Sequence, residues 1–347
     1  MNIKLTAFPT KISKYIFCLL FLSQGYLYAQ TAEPLFEVSA TKYLLGTEVD
    51  IAAVHSNINV CKKALYYAFQ EIERIENLLS CHLKDSEISK INNKASIEPV
   101  KVSNETFSII KKSIAYSKKF DGLFDISIGP ITELWGFNDD MKITIPQKEK
   151  LISLLKLIDY KNIILNNKDT TVLFGAKGMK LDLGGIAKGY AIDRAVDVLK
   201  QKGIKHFLIN AGGDIYAAGV KSKNKKWAIG VKHPRKPHTL LAKFELSDFA
   251  VATSGDYERY ADIDGIRYHH IINPKTGYPS NLCQSVTVLA STAEEADVWA
   301  TYLFIMGYNN YMNSVADSTV ASIIIDSSGN INYDNSLERD FMLTFIE

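Results

Sequence analysis

Apolar and polar residues alternate over residues 35–55 with a break near Gly46, which predicts two strands joined by a tight turn. The period then changes. Val60, Ala64, Ala68, Ile72, Ile75 and Leu79 recur every three or four residues, which lays one apolar face along a helix over 58–79. Ser103 is a capping residue for a second helix with Phe107, Ile110 and Ile114 turned inward. Pro146 in a first turn opens a third, running to about Ile158. Residues 160–183 read as three short strands broken at Asn166-Asn167 and at Gly175–Gly178. A helix from about Gly185 stops at Gly203, a residue suited to a C-cap. Strands are expected near 206–210, 226–232, 239–246, 267–272 and 284–290. A helix over 292–306 ends at Gly307, and strands near 319–325 and 339–346 close the chain. Strands come in runs and do not alternate one for one with helices, so the fold class is α+β.

The first 29 residues follow a different rule. Lys4, Lys11 and Lys14 precede an unbroken apolar run from Tyr15 to Leu22, then a polar patch, then the small residue Ala29 before Gln30. This order is that of a secretory signal peptide over 1–29, cleaved to leave a single unit over 30–347. The run is far short of the about 20 apolar residues of a membrane span, although an uncleaved anchor is the other reading. Cys18 lies mid-run, out of place for lipid attachment. The mature chain is therefore expected beyond the cytoplasmic membrane, in the periplasm. Removing the three lysines leaves 37 basic against 38 acidic residues. That balance lacks the basic excess that a nucleic-acid partner requires. Cys61, Cys81 and Cys283 remain, an odd number with no Cys-x-x-Cys, so neither a disulfide framework nor a zinc site is indicated. Three buried thiols, or one disulfide and one thiol, are the readings left.

Four strings carry candidate chemistry. Ala-Thr-Ser-Gly-Asp-Tyr-Glu (252–258) and His-His-Ile-Ile-Asn-Pro-Lys-Thr-Gly (269–277) are turns dense in hydroxyls and imidazoles. Glu-Ala-Asp-Val-Trp-Ala-Thr (295–301) places Asp297 and Thr301 one helical turn apart, two hard oxygen donors with a spacing that suits magnesium. A solvated helix start whose acids complement the dipole would look the same. Leu-Asp-Leu-Gly-Gly-Ile-Ala-Lys-Gly-Tyr-Ala-Ile-Asp (181–193) sets two glycines before a helix, where backbone can approach a phosphate or metal closely. It lacks the Gly-Lys-Ser/Thr of a Walker loop and the spacing of a dinucleotide fingerprint. Paired histidines such as His269 and His270 are often hydrogen-bonded core. One near a phosphate could also take a hydroxyl proton, because its pKa lies near neutrality.

Together with Asp-Gly-Leu-Phe-Asp-Ile-Ser-Ile-Gly-Pro-Ile-Thr-Glu-Leu-Trp-Gly-Phe (121–137), these strings occur in the order found in the ApbE family of FAD:protein FMN transferases, which the chain resembles over about residues 36–325. The resemblance implies a T-fold-like unit of mixed, largely antiparallel sheets with packed helices. It implies magnesium held by Asp297, Thr301 and the carbonyl of Gly185, and FAD held by Leu45, His82, Leu123, Phe124, Asp125, Asp182, Lys188 and Ile272. Lys188 could equally be a surface lysine. His270, immediately before Ile-Ile-Asn-Pro, is the implied base, and His269 is left structural. Leu134, Trp135 and Phe137 are read as core. Two positions depart from the family: Leu45 stands where a methionine is usual, and His82 where a tyrosine covers the flavin.

The implied reaction is Mg-dependent transfer of FMN from FAD to a threonine hydroxyl of a target flavoprotein, releasing AMP. Acceptors would be FMN-binding domains of membrane redox complexes such as sodium-pumping NADH:quinone reductase, a setting compatible with peripheral contact with the membrane. The same site with water as nucleophile would be an FAD pyrophosphatase. A non-catalytic FAD-binding protein is the third class, and the paired metal donors and His270 speak against it.

Overall fold

The alternation over 35–55 folds as two strands, β2 (Phe36–Leu44) and β3 (Thr47–His55), joined at Leu45 and Gly46, both at positive φ. That is the backbone of a two-residue hairpin turn, although glycine or asparagine is the usual occupant and leucine is not. The backbone of Ile3–Ala7 (β1) pairs antiparallel with β2. The computed structural model describes residues 3–7, 34–137, 143–222, 225–308 and 320–346; Ala29, the expected cleavage position, lies outside them. Helix α1 (Ile58–Leu79) begins where Asn57 accepts the amide hydrogens of Asn59 and Val60, and buries the predicted face from Ala64 to Leu79. The short α2 (Glu87–Lys94) was not anticipated. Helix α3 (Asn104–Lys119) starts at Ser103, whose hydroxyl accepts from the Thr106 amide.

After α3, helix α4 (Gly129–Trp135) carries Pro130 in its first turn, and α5 (Lys148–Leu155) starts two residues after Pro146. Val100–Lys101 (β4), Ile163–Asn166 (β5) and Thr171–Phe174 (β6) form a small sheet. The third strand expected before 183 does not form. Residues 179–183 run extended, with Lys180 making a single parallel bridge to Ile128. Helix α6 (Ala187–Gln201) leads to β7 (His206–Ala211) and β8 (Asp214–Ala218), then β9 (Trp227–Lys232), β10 (Leu240–Leu246) and β11 (Phe249–Gly255). A two-stranded hairpin, β12 (Tyr260–Ile263) with β13 (Ile266–His269), precedes β14 (Cys283–Ala290) and helix α7 (Ala293–Met306). β15 (Ala321–Asp326), β16 (Ile331–Tyr333), helix α8 (Ser336–Phe341) and β17 (Thr344–Phe345) end the described chain. The single strand expected over 339–346 is thus mostly helix and turn, since Met342 takes a left-handed conformation that interrupts extended pairing.

The main sheet has the order β1-β2-β3-β7-β8-β11-β14-β15-β16, antiparallel throughout. Period two sends alternate residues to opposite faces. Ile51 and Ala53 join the core under the helices, whereas Val54, Val251 and Leu289 face a second sheet, β17-β10-β9, with Trp227 and Phe244. Burial on both faces explains why β8 and β11 read poorly from sequence: their apolar runs are short and do not alternate clearly. The α+β class and the antiparallel sheets hold. Cys61 and Cys283 are buried thiols and Cys81 is half-buried, so no disulfide forms among them.

Helices α6 and α7 meet without any side chain between them at one point. A Cβ on Gly189 would lie 2.3 Å from the carbonyl oxygen of Ala293. Gly189→Val should therefore part the helices and destabilise the protein by about 2 kcal/mol or more, the scale of an overpacked core. Urea denaturation checks this, and a midpoint equal to that of wild type would show that the contact yields freely.

Candidate active site

The contact at Gly189 fixes two carboxylates. Helix α6 leaves its first amide hydrogens without helical partners, and Asp297 Oδ2 accepts that of Gly189 at 3.0 Å. In return Asp193, on α6, accepts the amide hydrogens of Ala293 and Glu294 at 2.8 and 2.9 Å. Each helix caps the start of the other. The alternative to a metal-ligand role, in which Asp297 complements the start of its own helix, is not what its Oδ2 does: it serves the start of α6.

Thr301 follows one turn along α7, and the backbone of Gly185 lies against it. A Cβ on Gly185 would fall 3.3 Å from Thr301 Oγ1 and 3.1 Å from the ring of Phe124. The structure thus brings Gly185, Asp297, Thr301 and Phe124 together. Lys188 is no surface lysine: its Nζ pairs with the buried Asp214 at 2.5 Å, and Asp214 also accepts the amide of Thr253. Burial raises the pKa of Asp297 to about 7; Asp214 adds to the rise and Lys188 opposes it. For Lys188, burial pulls the pKa down, but Asp214 and Asp297 outweigh it and hold the ammonium above its ordinary value.

Asp182 lies two residues before Gly184, whose amide it accepts at 2.8 Å, and its other oxygen accepts from Thr132 Oγ1 at 3.0 Å. His82 lines the same cavity as Asp182, a cleft of about 190 Å³ shared with Cys81, Asn92, Glu133 and Lys180. Gly129 presses against the carbonyl of Lys180, and Trp135 Nε1 donates to Gly277 O at 2.8 Å, so the 121–137 string joins the 181–193 and 269–277 strings. Trp135 and Phe137 are core and Leu134 packs against them. Ile272 is buried in that cluster. The Asp125 carboxylate is spent internally, accepting from the Ser127 amide and hydroxyl and from the Tyr160 amide, so its side chain organises the turn and only the backbone of 123–125 is free to meet a ligand. Leu123 packs half-buried against the main core.

The two histidines of the pair are bonded differently. His269 is buried, with Nε2 donating to Ser280 O at 2.7 Å and Nδ1 accepting from the Ile271 amide. His270 differs: its Nδ1 is buried without a hydrogen-bond partner. Burial lowers its pKa to about 3, and the charges of Arg259, His269 and Lys188 push the same way. Leu45, at the β2–β3 turn, donates its amide hydrogen to Glu76 and so keeps its strained conformation in place. Asp214, Arg259 and Gly189 were missed from sequence; the Gly-Gly-Asp at 212–214 before β8 was the one readable sign.

A long antiparallel sheet backed by helices, with the α6 and α7 starts crossing beside it, places the protein among α+β folds. The chain belongs to the ApbE family, whose sequence model matches residues 45–324. It is similar to an FAD:protein FMN transferase of Klebsiella pneumoniae, 37% identical over 243 residues, which cover 69% of this chain and 74% of that one. Another, from Vibrio cholerae, is 31% identical over 327 residues, 91% of this chain and 96% of its own. Among solved structures, the ApbE protein of Thermotoga maritima superposes with a TM-score of 0.82 at 36% identity, covering 87% of this chain and 98% of that one. The flavin transferase ApbE of Vibrio cholerae gives 0.79 at 28% identity, covering 90% and 100%.

A histidine held neutral in the fold but free to charge when unfolded costs stability on acidification. Protons bind the unfolded chain first as pH falls below about 6.5, and the folded protein follows only near 3. Stability should thus fall through that window, and His270→Ala should lose less of it than wild type. Parallel curves of unfolding free energy from pH 7 to 4 would contradict the burial of His270.

Proposed function

We propose that the chain transfers FMN from FAD to a threonine hydroxyl of an acceptor protein, with magnesium at Asp297, Thr301 and the Gly185 carbonyl. The observation that carries this reading is that Asp297 is held at the α6 start by the Gly189 amide, one turn from Thr301, which lies against Gly185, with the Lys188 charge acting on both Asp297 and His270. Among the described residues no three His, Cys, Asp or Glu side chains cluster to hold a metal. Softer metals, which favour nitrogen and sulfur, have no such set there, whereas one carboxylate with neutral oxygens fits a hard cation that keeps much of its water. Asp297 fits this role because Gly189 orients one oxygen and leaves the other for a ligand. The ion would neutralise charge developing on the phosphates and on the departing AMP.

The chain's own groups supply the rest. The start of α6 and Lys188 favour the anionic pyrophosphate. His270 Nδ1, neutral and unpartnered, accepts the proton of the threonine hydroxyl as its oxygen forms the new bond to the FMN phosphorus. The pyrophosphate P–O bond breaks and its electron pair leaves with AMP. His82 lies over the isoalloxazine, and Leu45, the backbone of 123–125, Asp182 and Ile272 complete the flavin site. The acceptors are FMN-binding domains of membrane redox complexes.

Incubation with FAD, magnesium and such a domain should yield acceptor bearing covalent flavin and one AMP per flavin; free FMN with bare acceptor would identify a pyrophosphatase. Asp297→Ala should lose more than 99% of magnesium-dependent turnover, because a hard cation on neutral oxygens alone binds weakly. Thr301→Ala should be milder, since water replaces a hydroxyl. Near-normal turnover of Asp297→Ala at limiting magnesium would remove Asp297 from the metal site.

The reading includes export to the periplasm. Cleavage after Ala29 would take β1 from the sheet edge and leave β2 exposed there, with the site untouched. N-terminal sequencing of protein from cells should begin near Gln30, and an intact Met1 would overturn export by cleavage.

A further inference from the structure

Arg259 stands apart from the other arginines of the chain. Arg74, Arg194, Arg235, Arg267 and Arg339 each pair with a carboxylate. Among the described residues, the Arg259 guanidinium has neither a carboxylate partner nor a hydrogen bond, and the residue is exposed. Its place is fixed by the hairpin. Tyr260 lies opposite His269, and the His270 amide donates to the Arg259 carbonyl at 3.1 Å, so Arg259 and His270 face each other across the ladder. Opposed residues project to the same side of an antiparallel pair, with Cβ atoms about 5 Å apart. The guanidinium also reaches the β2–β3 turn, where a Cβ on Gly46 would lie 3.0 Å from it.

Two incomplete groups therefore share one corner of the site, an unpaired guanidinium and an imidazole nitrogen buried without a partner. Lys188 adds a second cation whose charge reaches His270. We infer that Arg259 is a substrate-binding residue that grips phosphate oxygens of the dinucleotide between the β2–β3 turn and His270. The inference rests on the flavin-transfer reading and adds to it a group that the sequence strings did not single out. A guanidinium matches two phosphate oxygens at once, which a lysine cannot do. It serves the same proton transfer in a second way. Burial first, and then the charges of Arg259, His269 and Lys188, keep the imidazole unprotonated and able to accept a proton.

The test uses three probes on the full chain: FAD, inorganic pyrophosphate and riboflavin, which has no phosphate. Calorimetry on wild type, Arg259→Gln and Arg259→Lys should show FAD and pyrophosphate binding weakened about tenfold or more in Arg259→Gln, the scale of charge-assisted hydrogen bonds. Arg259→Lys should recover part of it, and riboflavin should bind all three alike. In Arg259→Gln the His270 imidazole, followed by NMR, should titrate at higher pH than in wild type. Unchanged pyrophosphate affinity, or equal loss for riboflavin, overturns the assignment of Arg259. An unshifted His270 titration overturns its pairing with Arg259. A wild type that binds none of the three probes overturns the flavin reading and this inference with it.

Discussion

The structure depends on a contact between two helix starts with nothing but backbone between them. Where α6 crosses α7, Gly189 leaves room for the Ala293 carbonyl, and each helix offers the other a carboxylate cap, Asp297 in one direction and Asp193 in the other. Unsatisfied amide hydrogens at buried helix starts cost free energy, and two acids in water would gain little by approaching each other. Reciprocal capping settles both problems. It also buries Asp297 at the α6 start, and that burial, with Asp214 nearby, raises the pKa of its carboxyl. A cation there would complete the charge balance that the protein's own groups leave unfinished.

Around that crossing the remaining groups follow from the sheet. β8 delivers Asp214 to its end, where Lys188 from the first turn of α6 meets it, and β11 supplies the Thr253 amide to Asp214. The β12–β13 hairpin carries Arg259 and His270 to the same corner as the Leu45 turn. Thus the α6 start, His270 and the oxygen donors Asp297 and Thr301 come from distant parts of the chain.

Much of this was readable from the sequence, and the parts that were not share physical causes. Helix α1 and the first hairpin follow from periodicity alone, because one face of each is plainly apolar. The strands β8 and β11 were missed, since both of their faces are covered and no alternation marks them. The strand expected over 339–346 failed because local hydrophobicity there serves α8 and its packing on the second sheet. Among the candidate site residues, Gly185 lies against Thr301, and Asp297, one turn earlier on α7, is bonded to the Gly189 amide. Lys188, which alone could have been a surface residue, proves tied to Asp214. Asp125 sits in the site region, yet its carboxylate is consumed by its own turn. Arg259 escaped notice because nothing in its string distinguishes it until the hairpin register sets it opposite His270. Of the two departures from the family, His82 lies on the cleft beside Asp182 and Leu45 sits in a strained turn.

The central claim is that the start of α6, Asp297, Thr301 and His270 form one phosphate- and cation-binding site. Crystals soaked with FAD and manganese, an anomalous scatterer that takes magnesium's place, test it most directly. The account predicts an anomalous peak ligated by Asp297, Thr301 and the Gly185 carbonyl, with the pyrophosphate between that peak and His270. A flavin bound elsewhere, or a metal peak away from Asp297, would contradict it.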